Sequence, residues 1–168
     1  MGHSIVEWIT CIFGANAGKM IGTVVISMLP VIELRGAIPV AYAFGLNWQT
    51  AMLCAVVGNL LPIPFILLFI DWAFAFMKRH GILVTFVEKL EAKALAKSGA
   101  VAKYQFWGLA LFVAIPLPGT GGWTGALIAS MMKTNKKNAL LSISIGVLIA
   151  AVVVMTATYF LAGSIINA

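Results

Sequence analysis

The chain has 168 residues, of which 62% are hydrophobic and only 10% carry a charge. A soluble domain carries about 25% charged residues, so this composition excludes an ordinary soluble protein and indicates a single integral membrane domain. The net charge of +6 comes from basic residues in two short regions. Such clustering is typical of membrane topology, so we do not expect nucleic acid as a partner.

Apolar side chains recur with helical spacing in residues 4–13 at the N-terminus. This stretch is too short to cross a bilayer. We therefore predict an amphipathic helix that lies on the membrane surface.

Residues 20–77 predict a broken segment followed by a spanning helix. The apolar run from Met20 to Phe44 contains two prolines, a glutamate and an arginine. It could span the membrane once, or it could turn near Glu33–Gly36 and leave on the side that it entered. After an uncharged turn, the run from Trp48 to Met77 predicts a helix with a kink near its two prolines.

Residues 78–103 form the longest hydrophilic stretch and predict an amphipathic linker helix. One face of this helix is apolar, and another carries Lys89, Lys93 and Lys97. Like charges at this spacing repel one another, so the basic stripe is expected to face anionic lipid headgroups or water.

Residues 104–166 follow a similar plan. The uncharged run from Tyr104 to Met132 has two prolines and four glycines between Pro116 and Gly125. Prolines and glycines weaken a helix, yet every backbone polar group in hydrocarbon needs a partner. We therefore predict a half-helix, a break and a second half-helix. The basic loop 133–137 then leads into an uncharged spanning helix.

Matching residues in these two regions lie 88 or 89 positions apart, which predicts an internal repeat. Leu29-Pro30 corresponds to Leu117-Pro118, and Gly58 corresponds to Gly146. At the offset of 89, Arg35-Gly36-Ala37 corresponds to Thr124-Gly125-Ala126. Each copy would comprise a broken segment, a turn and a spanning helix.

The two basic regions, 78–103 and 133–137, predict how the copies are oriented. Cytoplasmic loops are rich in Lys and Arg, so both regions are expected on the cytoplasmic side of a prokaryotic-type plasma membrane. The second broken segment then enters and leaves from the inside, as a re-entrant helical hairpin. The first one enters from the outside, so the fold class is an all-α inverted repeat. Four ordinary spans would put the basic regions on opposite sides.

Three stretches of the chain carry a family resemblance: Glu33–Pro39, Gly58–Pro62 and Pro116–Ala126. They resemble the small multidrug export proteins, which are similar to the wider DedA superfamily. The resemblance implies two re-entrant hairpins that meet at mid-membrane and a transport function. DedA-like proteins are linked to proton-dependent transport and to flipping of polyprenyl phosphate carriers. The acidic residue of the family's first hairpin corresponds to Glu33.

Glu33 and Arg35 are the leading functional candidates, because a charged side chain at bilayer depth costs at least about 2.5 kcal/mol. They could form a proton or substrate site, or a structural ion pair at the hairpin turn. The glycine break could bind an anion at a helix N-terminus, with Thr124 as its cap, or could serve close helix packing. The Asn59 amide could bind a ligand, although hydrogen bonding between helices is the favoured interpretation.

The predicted substrate- or ion-binding residues are Glu33, Arg35, Gly36, Asn59, Pro118, Gly119, Thr120, Gly121 and Thr124, with Asp71 as a secondary candidate.

These features predict a secondary transporter that is coupled to protons or another ion such as sodium. Its site would lie at the midplane between the hairpins and would accept a small amphipathic drug or a lipid phosphate. The chain has no zinc or nucleophile motif, so we expect no enzyme activity, metal or cofactor. A membrane assembly protein without transport is the alternative, and a lipid-modifying enzyme ranks third. Membrane lipids are expected partners, and a homodimer is left open.

Overall fold

The structure is a computed structural model that describes residues 15–80, 88–89, 92, 105–117, 119–132 and 134–162. The described elements are helices: α1 (Ala15–Met28), α2 (Glu33–Ala43), α3 (Trp48–Leu60), α4 (Ile63–Arg79), α5 (Gln105–Ala114), α6 (Gly122–Met131), α7 (Lys136–Met155) and a π-helix (Thr156–Ala162). The described part of the chain is therefore all-helical, as predicted. The predicted N-terminal helix over residues 4–13 and most of the linker 78–103 lie outside the described residues.

Helix length separates the elements into two classes. The stretches Trp48–Ile70 and Lys136–Leu161 are long and apolar enough to cross a membrane. By contrast, α1, α2, α5 and α6 have 14, 11, 10 and 10 residues. A span needs about 20 residues, so none of these four short helices crosses a bilayer alone. They occur as two consecutive pairs, α1–α2 and α5–α6, and a break separates the members of each pair.

The chain divides into two compact units, and the division falls inside the long helical stretches. The first unit comprises Met1–Leu61 and Leu148–Ala168, and the second comprises Pro62–Val147. In the first unit the π-helix contacts α2, and in the second unit α4 contacts α6. The unit boundary therefore differs from the repeat boundary predicted in the linker, because the end of each long helix packs on a short helix from the other half of the sequence.

In the first unit, α1, α2 and α3 all contact one another. Helices α1 and α3 pack tightly at Gly58, where an added Cβ would overlap the Val24 carbonyl oxygen. One turn earlier on α3, the Ala55 carbonyl accepts a hydrogen bond of 2.5 Å from the buried Ser27 hydroxyl. Small residues permit such an approach of two helices in a membrane, where packing and hydrogen bonds replace the hydrophobic effect.

In the second unit, α5 and α7 cross in the same way at Gly146. An added Cβ there would lie 2.6 Å from the Ala110 carbonyl oxygen and 2.7 Å from the Val113 Cβ. The Ser142 hydroxyl donates a 2.5 Å hydrogen bond to the Phe106 carbonyl. Both crossings thus place a glycine of the long helix against a carbonyl of the short helix, at positions 88 residues apart in sequence.

The turn after α2 has the hydrogen bonds of a Schellman motif. Gly45 adopts a left-handed φ of 72°, its N–H donates to the Tyr42 carbonyl, and the Leu46 N–H donates to Ala41. The hydrogen bond from Leu46 to Ala41 has a counterpart 88 positions later, where the Thr134 N–H donates to the Ala129 carbonyl. Both turns have the same function, which is to end a short helix and lead the chain into a long one.

We expect Gly45→Ala to destabilise the protein by about 1 kcal/mol, since a left-handed conformation costs an L-residue this amount. An added Cβ at this position meets no atom within 4 Å, so the cost is one of backbone conformation and not of packing. Thermal unfolding in detergent would measure it. Gly45→Asn is the control and should lose less, because Asn tolerates this conformation better. Equal losses for Ala and Asn would contradict the explanation.

Candidate functional site

The first break between two short helices lies at residues 29–32, which belong to neither α1 nor α2. The sequence placed the possible turn near Glu33–Gly36 and so predicted a non-helical stretch there. This is wrong, since α2 begins at Glu33 and these four residues are helical. Pro30 explains the shift. A proline disfavours helical geometry in the residue before it, so α1 ends at Met28, one residue ahead of Leu29. Pro39, by contrast, is accommodated inside α2.

Glu33 occupies an unusual position at this break. It is only 5% exposed, and its φ is 51°, the one left-handed φ among the described residues other than glycine. Its N–H donates to the Leu29 carbonyl at 2.9 Å. A left-handed glutamate costs about 1–3 kcal/mol, so the surrounding packing must hold it there. The result is a buried carboxyl group at the first residue of a half-helix.

Arg35 is two residues further along α2 and is partly buried. Its guanidinium interacts electrostatically with the Glu33 carboxylate. Residues two apart in a regular helix point in different directions, but the left-handed backbone of Glu33 removes that restriction. Gly36 follows directly, and an added Cβ there would overlap the Ile32 side chain. The predicted trio of Glu33, Arg35 and Gly36 thus forms one local group on the first turn of α2.

Asn59 is the second candidate position in the first unit, near the end of α3. Its side chain is fully buried. Within the described structure, no group hydrogen-bonds to either its Oδ1 or its Nδ2. The favoured sequence interpretation, a hydrogen bond that joins two helices, is therefore not what the structure shows. Ser27 makes that kind of bond instead, on the neighbouring turn.

The second break lies between α5, which ends at Ala114, and α6, which begins at Gly122. Gly119 has a left-handed φ of 81°. The Thr120 hydroxyl lies 2.7 Å from the Ile115 carbonyl and 2.8 Å from the Leu117 carbonyl, so it closes the loop upon itself. The predicted non-helical break at the glycines is confirmed for Gly119, Thr120 and Gly121, whereas Gly122 is the first helical residue.

Thr124 does not cap α6, contrary to the prediction. The helix begins two residues earlier, and its N-cap is Gly121, which has no side chain to supply a hydrogen bond. Thr124 lies in the first turn instead. The next residue, Gly125, packs against α5, where an added Cβ would lie 2.6 Å from Val113 Cγ2. The glycines at this break therefore have two roles. Gly121 leaves the N-terminus of α6 without a side-chain cap, and Gly125 permits close packing of α6 on α5.

The structure describes no side chain for two predicted candidates, Pro118 and Asp71. Pro118 lies outside the described residues. Asp71 belongs to α4, but its side chain is not among those described.

Two buried polar residues on α1, Thr23 and Ser27, were not among the predicted site residues. Thr23 donates to the Lys19 carbonyl of its own helix, whereas Ser27 donates across to α3. Their i, i+4 spacing puts two small polar side chains on one face of α1. This pattern is typical of close helix packing in membranes, so it could have indicated that α1 crosses α3 here.

Tyr159 of the π-helix was also missed. Its hydroxyl donates to the Leu46 carbonyl at 2.9 Å, and its ring contacts Tyr42 edge-on at 5.0 Å. These contacts fix the π-helix to the turn that follows α2. A tyrosine in a long apolar stretch gives little sequence signal for such a partner.

Comparison with known protein families gives a match over most of the chain. Residues 33–153 match the model of a family described as putative small multi-drug export protein. Comparison with the curated proteins and with the solved structures found no match. The family's description suggests an export function, and with the two long apolar helices it identifies a membrane protein. Because the match covers more than half of the chain, from the start of α2 through the second break, this protein belongs to the putative small multi-drug export protein family.

Proposed function

We propose that the protein is a secondary transporter that exports small amphipathic molecules across the plasma membrane, with proton uptake at Glu33 as the driving reaction. The observation that carries this proposal is the buried Glu33 carboxyl group at a helix break, beside the Arg35 guanidinium. An ionisable residue inside a membrane marks a functional site by default, because burial of its charge is costly. The family's description supports export as the function.

In the proposed cycle, Glu33 controls the availability of Arg35. While the carboxyl group is ionised, it attracts the guanidinium. When the carboxyl group takes up a proton this attraction ends, so Arg35 can interact with an anionic or polar group of the substrate. The left-handed backbone at Glu33 places this exchange at the end of a short helix, where small backbone rotations redirect the side chain.

The glycine break of the second unit is proposed to bind polar groups of the substrate. The N–H groups in the first turn of α6 carry the positive end of the helix dipole, and the cap residue offers no side-chain acceptor. A lipid phosphate, the substrate class suggested by the DedA resemblance, would fit such a position. A purified, reconstituted protein assayed with both drugs and polyprenyl phosphate across a pH gradient would separate the two substrate classes. If neither class of substrate is transported, the proposal is overturned.

The inverted repeat and the re-entrant hairpins belong to the same proposal. Because cytoplasmic loops are rich in Lys and Arg, residues 78–103 and 133–137 are both proposed to lie in the cytoplasm. We expect cysteines introduced at Lys89 and at Asn135 to react with a membrane-impermeant reagent only from the inside. A cysteine at Asn47, in the turn after α2, is the control and should react only from the outside. Labelling of Lys89→Cys and Asn135→Cys from opposite sides would exclude the inverted repeat.

A further inference from the structure

The fully buried carboxamide of Asn59 has no structural partner among the described residues. An unmade hydrogen bond in a protein interior is unfavourable for the donor and for the acceptor, more so in a membrane. The helix crossing beside it does not require the amide, because Gly58 and Ser27 already supply the close approach and the hydrogen bond.

The second unit shows that the crossing can be built without an amide. Val147 stands 88 positions after Asn59, next to Gly146, and it is also fully buried. Its crossing has the same glycine-to-carbonyl approach and the same serine hydrogen bond. An apolar side chain therefore satisfies the packing at this position, which leaves the Asn59 carboxamide available for a different role.

The main chain around Asn59 adds two acceptors. Pro62 and Pro64 have no N–H, so the carbonyls of Gly58 and Leu60 cannot receive the usual i→i+4 hydrogen bond. These carbonyls belong to the C-terminal end of α3, the negative end of its helix dipole. These two carbonyls point to different sides of the helix, since residues two apart do not face each other, so at most one of them acts together with Oδ1 of Asn59. The C-terminal ends of half-helices bind cations in transporters that have broken helices.

We propose that the end of α3 at Asn59 binds the protonated amino group of an amphipathic amine, and that such amines are the exported substrates. An ammonium group supplies several N–H donors and a positive charge, which match the acceptors and the helix dipole. The apolar body of the molecule suits the apolar surroundings of α3. The statement that these amines are exported rests on the proposed function, whereas binding at Asn59 does not.

The test compares two probes with one apolar body, naphthylethylamine and its N,N,N-trimethyl derivative. Both are cations, but only the first has N–H donors. In nanodiscs without a gradient, we expect the wild type to bind the amine about tenfold more tightly, the equivalent of one strong hydrogen bond. Asn59→Val should remove this preference, and Asn59→Thr, which keeps one acceptor, should retain part of it. Val147→Thr is the matched control and should keep the full preference.

Each outcome decides the proposal. Equal binding of the two probes by the wild type, or a preference that survives in Asn59→Val, would overturn it. Because Val fits the corresponding position of the second unit, Asn59→Val is expected to fold, and its melting temperature checks this. If the amine binds at Asn59 but no flux follows in liposomes, the proposed export function fails while the binding site stands.

Discussion

Glu33→Gln is expected to fold normally and to lose pH-dependent export. Glutamine has the same size, and it keeps the left-handed backbone and the hydrogen bond from the residue 33 N–H to the Leu29 carbonyl. It cannot take up or release a proton, so the attraction to Arg35 can no longer be switched. Reconstituted transport measured at several external pH values should fall to background for a driven substrate, and any residual flux should be independent of pH.

The alternative is that Glu33 and Arg35 form a structural pair. In that case Glu33→Gln would leave a partly buried guanidinium without its counter-charge and would destabilise the protein by about 3–5 kcal/mol. A low melting temperature and poor expression would indicate this. The double variant Glu33→Gln/Arg35→Gln separates the two cases. It should recover stability for a structural pair, but it should not recover transport if Glu33 is the switch. A folded single variant with unchanged pH dependence would exclude Glu33 as the coupling residue.

Gly58→Val should disrupt the first unit. Even one added carbon at this position overlaps the Val24 carbonyl oxygen, which belongs to the backbone and cannot rotate away. We expect Gly58→Ala to cost about 1–3 kcal/mol, the range for overpacking. Gly58→Val should cost more, since α1 and α3 must separate and the hydrogen bond from Ser27 to Ala55 is lost. Gly146→Val should have the same effect in the second unit, where the Ala110 carbonyl is the obstacle.

Gly22→Ala supplies the control for both crossings. Gly22 lies in α1, but an added Cβ there meets only the Phe44 ring at 3.7 Å, an ordinary contact. Because alanine favours helix by about 1 kcal/mol over glycine, this variant should be neutral or slightly more stable. Thermal unfolding in one detergent would compare all of these variants. A Gly58→Ala variant as stable as Gly22→Ala would contradict the predicted cost of an added side chain at this crossing.

The amino-acid composition and the positions of proline and glycine were sufficient to predict the fold class and the approximate positions of several helix ends. Low charge and long apolar runs predicted a helical membrane protein. In the hydrocarbon core every backbone N–H and C=O group needs a partner within the protein, and a helix supplies these partners within one segment. Pro30, Gly45 and the glycines at 119–122 act locally on backbone conformation, so they indicated that short helices end nearby. The pairing of Gly58 with Gly146 was likewise readable, and both residues lie where helices cross.

The tertiary structure decided what local rules could not. The exact start of α2 depends on packing that holds Glu33 in a left-handed conformation, which no propensity favours for glutamate. The roles of Ser27 and Asn59 could be separated only by the structure. Both are polar residues in apolar helices, and among the described residues only Ser27 has a hydrogen-bond partner for its side chain. The contact of the π-helix with α2 joins residues more than a hundred positions apart. Such contacts follow from the whole chain's packing, which no short stretch of sequence specifies.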